Sequence, residues 1–318
     1  MVLKEGMIMF LSLLLIQQIS KMFIMIFIGF LVIKIKIMRE SESKSLSTLI
    51  LYVITPCAII NSFQIELTED KLYGLALAGF TALIVNVLYI ILTHILSKLF
   101  SLTSIEKASI IYSNAGNLII PLVSSLLVEE WVLYTAGYIV VQTILLWTHA
   151  NSLVSGIKSF SLKKIFLNIN IIAIIIGFTL FITEIELPFV LNQAISSIAA
   201  MIGPLAMFII GMLIGEIDLE KMFKNKKIYF ICFFRLLLLP LIIVFMLVFS
   251  GLLNLHKDAS QIFVITLLAA SAPCAATITQ FAQVYDKDAN YASMINVVSV
   301  ILCIITMPLI IMTYQLLI

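Results

Sequence analysis

The 318 residues are 62% hydrophobic and only 11% charged, with a formal net charge of +2 and a mean hydropathy of +1.19. A soluble domain carries about 25% charged residues and needs them for a water-facing surface, so a soluble globular protein is excluded, and no basic cluster marks a nucleic-acid partner. Apolar runs of roughly 20 residues, without the alternating pattern of a transmembrane barrel, predict an all-α integral membrane protein.

In chain order, ten candidate spans run over about 12–36, 45–65, 72–97, 107–127, 131–156, 165–183, 189–215, 228–251, 260–283 and 290–316. The first follows Lys4 and continues to about Ile37 without a small-residue cleavage site, so it reads as a retained span rather than a signal peptide. Span 2 contains TPCAIINSF around Pro56, and span 7 contains GPLAMFIIG around Pro204. Span 4 reads SNAGNLIIPLV, polar for a bilayer helix, and span 9 reads AASAPCAATITQ. Cys57, Cys232, Cys274 and Cys303 sit in apolar runs without CxxC spacing or nearby histidine pairs. They read as packing residues, and neither a metal nor a cofactor is expected.

The loops alternate in charge. Those after odd-numbered spans hold Lys34, Lys36, Arg39, Lys44, Lys98, Lys107, Lys158, Lys163, Lys164, Lys221, Lys224, Lys226, Lys227 and Lys287. The opposite side holds Lys4, Lys71 and Lys257, with the acidic pairs Glu129–Glu130 and Glu184/Glu186. Positive charge marks the cytoplasmic side, which predicts a cytoplasmic (inner) membrane protein with both termini extracytoplasmic.

Five spans per half place two homologous halves, 1–156 and 157–318, upside down relative to each other. Pro56 to Pro121 and Pro204 to Pro273 have nearly equal separations, which supports such an inverted repeat. Pro121 lacks an N–H and opposes the carbonyl of Asn117, with Gly116 nearby, while Pro273 opposes that of Ala269. Interrupted helices at corresponding places in two halves point to a transporter's midplane site, where half-helix N-termini face anions and free carbonyls face cations. The substrate-binding candidates are therefore Asn114, Gly116, Asn117, Pro121, Ser271, Pro273 and Thr277, the prolines as causes of the site rather than ligands. The alternative for the asparagines is interhelical packing, and for Ser271 and Thr277 a bond to their own backbone.

Asn61, Gln142, Asn296 and Arg235 are candidates to line the cavity. Arg235 has two readings: an anion or carbonyl cluster as partner, or reach to the cytoplasmic headgroups, which is favoured because it lies about two turns inside span 8. His94 and His149 read as neutral histidines in preference to proton relays. No Asp or Glu stands mid-span, so a coupled proton or sodium ion would have to use neutral oxygens or the substrate's own proton.

At these residues the chain resembles the auxin efflux carrier family, which includes bacterial malate and malonate permeases and the plant PIN-FORMED carriers. The resemblance runs from LLLIQQISKMFIMIFIGFLVIKIKIM and Pro56 through Asn114 to Pro121, PLAMFIIGMLIG, RLLLLP, Pro273, Phe281, Ala282 and Tyr285, to YASMINVVSVILCIITMPL. Ile119, Ile278, His149 and Ala150 depart from its pattern. The resemblance implies ten spans with crossed, broken spans 4 and 9. It further implies a scaffold of spans 1, 2, 6 and 7 used for homodimers, and export or exchange of small organic anions.

These observations predict an alternating-access carrier for a small organic anion such as malate or a related carboxylate. The alternatives are a sodium-coupled bile-acid-type or arsenite-type carrier of the same architecture, or a membrane-embedded sensor that binds without transporting. An enzyme is not expected: paired Asp, a Ser/His dyad and HExxH are all missing at usable spacing.

Overall fold

A computed structural model describes residues 21, 23–127, 131–156, 167, 169–216 and 224–318. The start of the first predicted span, Lys4, Glu129–Glu130, Lys158, Lys163, Lys164 and Lys221 lie outside the described residues. Every regular element among the described residues is helical. In chain order these are α1 (Phe23–Lys34), α2 (Glu40–Leu49), α3 (Thr55–Ser62), α4 (Glu69–Phe100), α5 (Ser104–Ile111), α6 (Ala115–Leu126), α7 (Val132–Leu145) and α8 (Asn151–Ser155). There follow α9 (Ile169–Ile182), α10 (Phe189–Ala199), α11 (Ile202–Glu216), α12 (Lys226–Phe233), α13 (Leu239–Phe249), α14 (Ala259–Ala270), α15 (Ala276–Val284) and α16 (Ala289–Leu317).

Widened π turns join α2 to α3 (Ile50–Ile54), α7 to α8 (Leu146–Ala150) and α12 to α13 (Phe234–Leu238). Two of them end just before Pro56 and Pro240. A proline removes the bond to the carbonyl four residues back, and an inserted residue in that turn absorbs the mismatch without breaking the helix.

Among the described residues, five helical segments, counted across the π turns and the short break between α10 and α11, are long and apolar enough to cross a membrane: Glu69–Phe100, Val132–Ser155, Phe189–Ile209, Lys226–Phe249 and Ala289–Leu317. Helix α4 shows the polarity of a lipid-facing element. Phe80, Leu83, Val87, Ile91 and Ile95 recur every three or four residues on its exposed face. Its buried face is mostly small or polar, with Gly74, Ala78, Thr81, Ala82, Asn86 and Thr93 beside Leu77, Val85 and Tyr89. A soluble helix has the opposite distribution.

Two groups of helices are apparent. Helix α3 packs on α9 and α10, α11 packs on α2, and α1 meets α11 backbone to backbone at Gly29 and Gly211. Helices α4, α7, α14 and α16 form a second group around α5, α6, α12, α13 and α15. Helix α11 also touches α6 and α16, so the groups share a face. An apolar cleft opens on that face, lined by Ile26 and Met207 on one side and by Leu118, Leu122, Pro273 and Met307 on the other.

Polar contacts at the two ends of the bundle agree with the charge alternation. At one end Lys257 bonds Asp70, holding the Asp70 carboxyl below its usual range by hydrogen bond and charge. At the other, Glu106 is buried and accepts from Lys227 Nζ at 2.9 Å, Tyr291 Oη at 2.9 Å and the Thr103 N–H at 2.8 Å. Thr103 and Glu106 form a capping box at the start of α5. Burial pushes the Glu106 carboxyl up, but its three donors outweigh burial and leave it below the ordinary value.

A lowered folded value contributes stability above the unfolded pKa of about 4.3, and that contribution is lost as pH falls through the folded value. Glu106→Gln is expected to cost about 1 kcal/mol at neutral pH, because Lys227 is partly solvated. In thermal unfolding of the purified protein, the gap between wild type and variant should close below about pH 4. A gap that persists unchanged into acid would show that the charge is not what matters there.

Candidate functional site

Two interruptions, at Tyr112–Asn114 and Ser271–Ala275, lie side by side. Ser113 and Cys274 form an antiparallel bridge, so the two stretches of chain pass each other in opposite directions. The Asn114 N–H donates to the Pro273 carbonyl at 2.7 Å, and the Ala275 N–H donates to the Tyr112 carbonyl at 2.9 Å. Such close backbone approach needs small side chains, and Ser113, Ala272, Cys274 and Ala275 supply them, all buried.

Each half of the bridge is gripped by an amide. Gln142, on α7, accepts from Ser113 Oγ at 2.7 Å and donates to the Ser113 carbonyl at 2.6 Å. Asn296, on α16, donates to the Cys274 carbonyl at 2.6 Å. Ser299, one turn on, accepts from the Cys274 N–H at 3.0 Å. Unwound peptide units in an apolar interior must find such partners, since an unmade bond costs about 1–3 kcal/mol.

Arg235 is the third element. It stands on the π turn Phe234–Leu238 and is 0% exposed. Its Nε and Nη2 donate to the Ala272 carbonyl at 3.2 and 3.1 Å, and Nη1 donates to the carbonyls of Ile110 and Ile111 at 3.2 and 3.3 Å. The guanidinium also faces the Tyr89 ring, 5.2 Å from its centroid, and Tyr89 Oη donates to the Ala270 carbonyl at 3.2 Å. Ile110 and Ile111 end α5 and Ala270 ends α14, so the cation sits at the negative ends of two helix dipoles. The positive ends of α6 and α15 begin immediately beyond the paired interruptions.

Several expectations are corrected by this geometry. Arg235 does not reach the headgroups, because it is enclosed by protein and satisfied by carbonyls. The first interruption lies at Tyr112–Asn114, while Pro121 falls inside α6. The missing N–H of Pro121 costs that helix one bond, whereas Tyr112–Asn114 gains cross-chain bonds by leaving helical geometry. Pro121 and Pro273 are thus not equivalent positions. Ala269 keeps a weak local bond from the Ala272 N–H, and side chains take the carbonyls of Ala270, Ser271 and Ala272 instead.

Of the candidate residues, Asn114, Pro273, Gln142, Asn296 and Arg235 converge on the paired interruptions. Asn114 is buried and precedes the first turn of α6 without capping it. Gly116 and Asn117 lie in that turn, with the Asn117 and Pro121 side chains outside the described ones. Ser271 Oγ bonds its own helix at the Leu267 carbonyl, and Thr277 is half-buried in the first turn of α15. Asn61 is half-buried on α3, in the group around α9 and α10. His149 Nδ1 pairs with Tyr112 Oη at 2.7 Å.

Sequence reading passed over Ser113, Ser299, Tyr89 and Glu106. Asn296-x-x-Ser299 places two polar groups on one helix face, and Thr103-x-x-Glu106 is a capping-box pattern; both signals were present. Tyr89 had none.

The fold is that of a multi-pass helical protein with paired chain interruptions beside a buried cation. A family model described as membrane transport protein matches the chain twice, over residues 14–156 and 149–311. The chain belongs to this family, the auxin efflux carrier family, and contains two repeats of its unit. No curated protein gives a significant match.

Proposed function

We propose that the protein is an alternating-access secondary transporter that moves a small organic anion, malate or a related carboxylate, across the cytoplasmic membrane. The proposal takes residues 1–156 and 157–318 as two inverted five-helix repeats. Their fourth and ninth spans cross at the paired interruptions, and both termini are extracytoplasmic. The observation that carries it is the meeting of the N-termini of α6 and α15 beside a buried guanidinium that no described carboxylate neutralises. Helix N-termini and an amide at Asn114 can hold a carboxylate with charge-assisted bonds. Rocking of the group around α4, α7 and α14 against the group around α3 and α11, with Asn61 on the latter, would open the apolar cleft to alternate sides. A homodimer through the first group is part of the same reading, because α10 leaves Phe189, Val190 and Leu191 exposed.

Purified protein in liposomes, assayed for radiolabelled malate and monocarboxylate counterflow, tests this. Saturable counterflow is expected, and Asn114→Ala should lower it at least about tenfold, the worth of one charge-assisted hydrogen bond. Undiminished flux in Asn114→Ala would remove the site from the paired interruptions. Binding without counterflow would replace the carrier by a sensor.

A further inference from the structure

Arg235 has little left to offer the carrier scheme as a ligand, since four of its five N–H groups are committed to backbone carbonyls. Four hydrogen bonds from Nε, Nη1 and Nη2 reach backbone carbonyls of Ile110, Ile111 and Ala272. Among the described residues none of its ion-pairing partners is a carboxylate. A cation buried without a counter-charge is ordinarily costly, because it gives up its hydration. Here the compensation comes from dipoles: the C-terminal carbonyls of α5, the unwound carbonyl of Ala272, and the Tyr89 face.

Unwound carbonyls together with half-helix C-terminal ends are the oxygen set that broken-helix carriers present to a dissolved coupling cation. In this chain that set is taken by a covalently attached one. Guanidinium suits it better than a point charge, because its planar fork spans carbonyls from two separate helices and it gives up hydration more readily than an ammonium. The π turn before Pro240 sets the register of Arg235 in α12–α13.

We infer that Arg235 is a resident counter-cation: it fills the oxygen cluster that would otherwise need a dissolved cation and thereby frees anion movement from sodium. The part about anion movement rests on the carrier reading above; the occupancy of the cluster does not. Arg235 is on this account a positioning residue. It holds the negative ends of two helices together so that the opposite, positive ends are aimed at one place.

The test compares thermal unfolding of wild type, Arg235→Ala and Arg235→Lys in detergent, in choline chloride, in sodium chloride and with millimolar guanidinium. Wild type should melt at the same temperature in sodium and choline. Arg235→Ala should melt lower in choline and recover several degrees in sodium or guanidinium, a response a purely space-filling arginine would not leave behind. Arg235→Lys, which keeps one charge, should melt below wild type and remain indifferent to sodium. It carries the test if Arg235→Ala cannot be recovered folded in any salt. The inference is overturned if sodium stabilises the wild type, if Arg235→Ala responds to neither cation, or if Arg235→Lys becomes sodium-responsive. Malate counterflow, measured alongside, should be equal in sodium and choline; its complete absence in wild type counts against the carrier reading alone, since melting requires no flux.

Discussion

Gly211→Val is expected to leave little folded protein, with a loss of about 3 kcal/mol, the upper range for overpacking. A side chain at Gly211 would overlap the carbonyl oxygen of Ile26 and approach the Phe30 nitrogen at 2.7 Å. Gly29 meets the Phe208 carbonyl in the same way from the other helix, and a Cβ at Gly215 would stand 2.8 Å from that of Ile33. Backbone cannot yield as a flexible side chain does, so α1 and α11 would have to separate. Between apolar helices in lipid, close packing is the main attraction, because no hydrophobic gain remains to hold a loosened pair. Gly79→Ala is the control. Nothing lies within 4 Å of the Cβ it would add, and a mid-helix glycine costs about 0.5–1 kcal/mol relative to alanine. The two variants should therefore shift the melting temperature in opposite directions. Equal shifts would mean that the helix contact at Gly211 contributes nothing.

The second large effect is expected at the amides. Asn296→Ala removes the side-chain donor from the Cys274 carbonyl, and Gln142→Ala removes both side-chain bonds at Ser113. Each should cost about 1–3 kcal/mol, the penalty of a buried peptide group left unpaired. Each should also reduce counterflow by more than about tenfold, as the orientation of α6 and α15 loosens. Ser113 and Cys274 are partners in one bridge, so the double variant should fall short of the sum of the single ones. A double-mutant cycle on melting temperature and flux measures that coupling. Additivity within about 0.5 kcal/mol would show that the two interruptions respond independently.

Much of this was legible in the chain. The apolar runs located helices and the polar stretches SNAG and SAPCA marked where two of them break, because each signal is local. The Gly211-x-x-x-Gly215 spacing stood in the sequence but was passed over, and only the structure shows which backbone it admits. Pro121 misled, since a proline reports a lost local bond and not whether a helix continues past it. Arg235 misled for a related reason: a long side chain two turns from a helix end can reach headgroups, and backbone carbonyls that might hold it instead leave no trace in sequence.

By itself, then, the sequence determined that this is a helical membrane protein and that it repeats a unit, because lipid demands apolar, internally bonded segments of fixed length. The tertiary structure alone decided that Tyr112–Asn114 pairs with Pro273–Ala275, that Gln142 and Asn296 grip that pair, and that Arg235 closes it. Those contacts join residues far apart in the chain through peptide groups that every residue shares, and only their placement in space distinguishes one carbonyl from another.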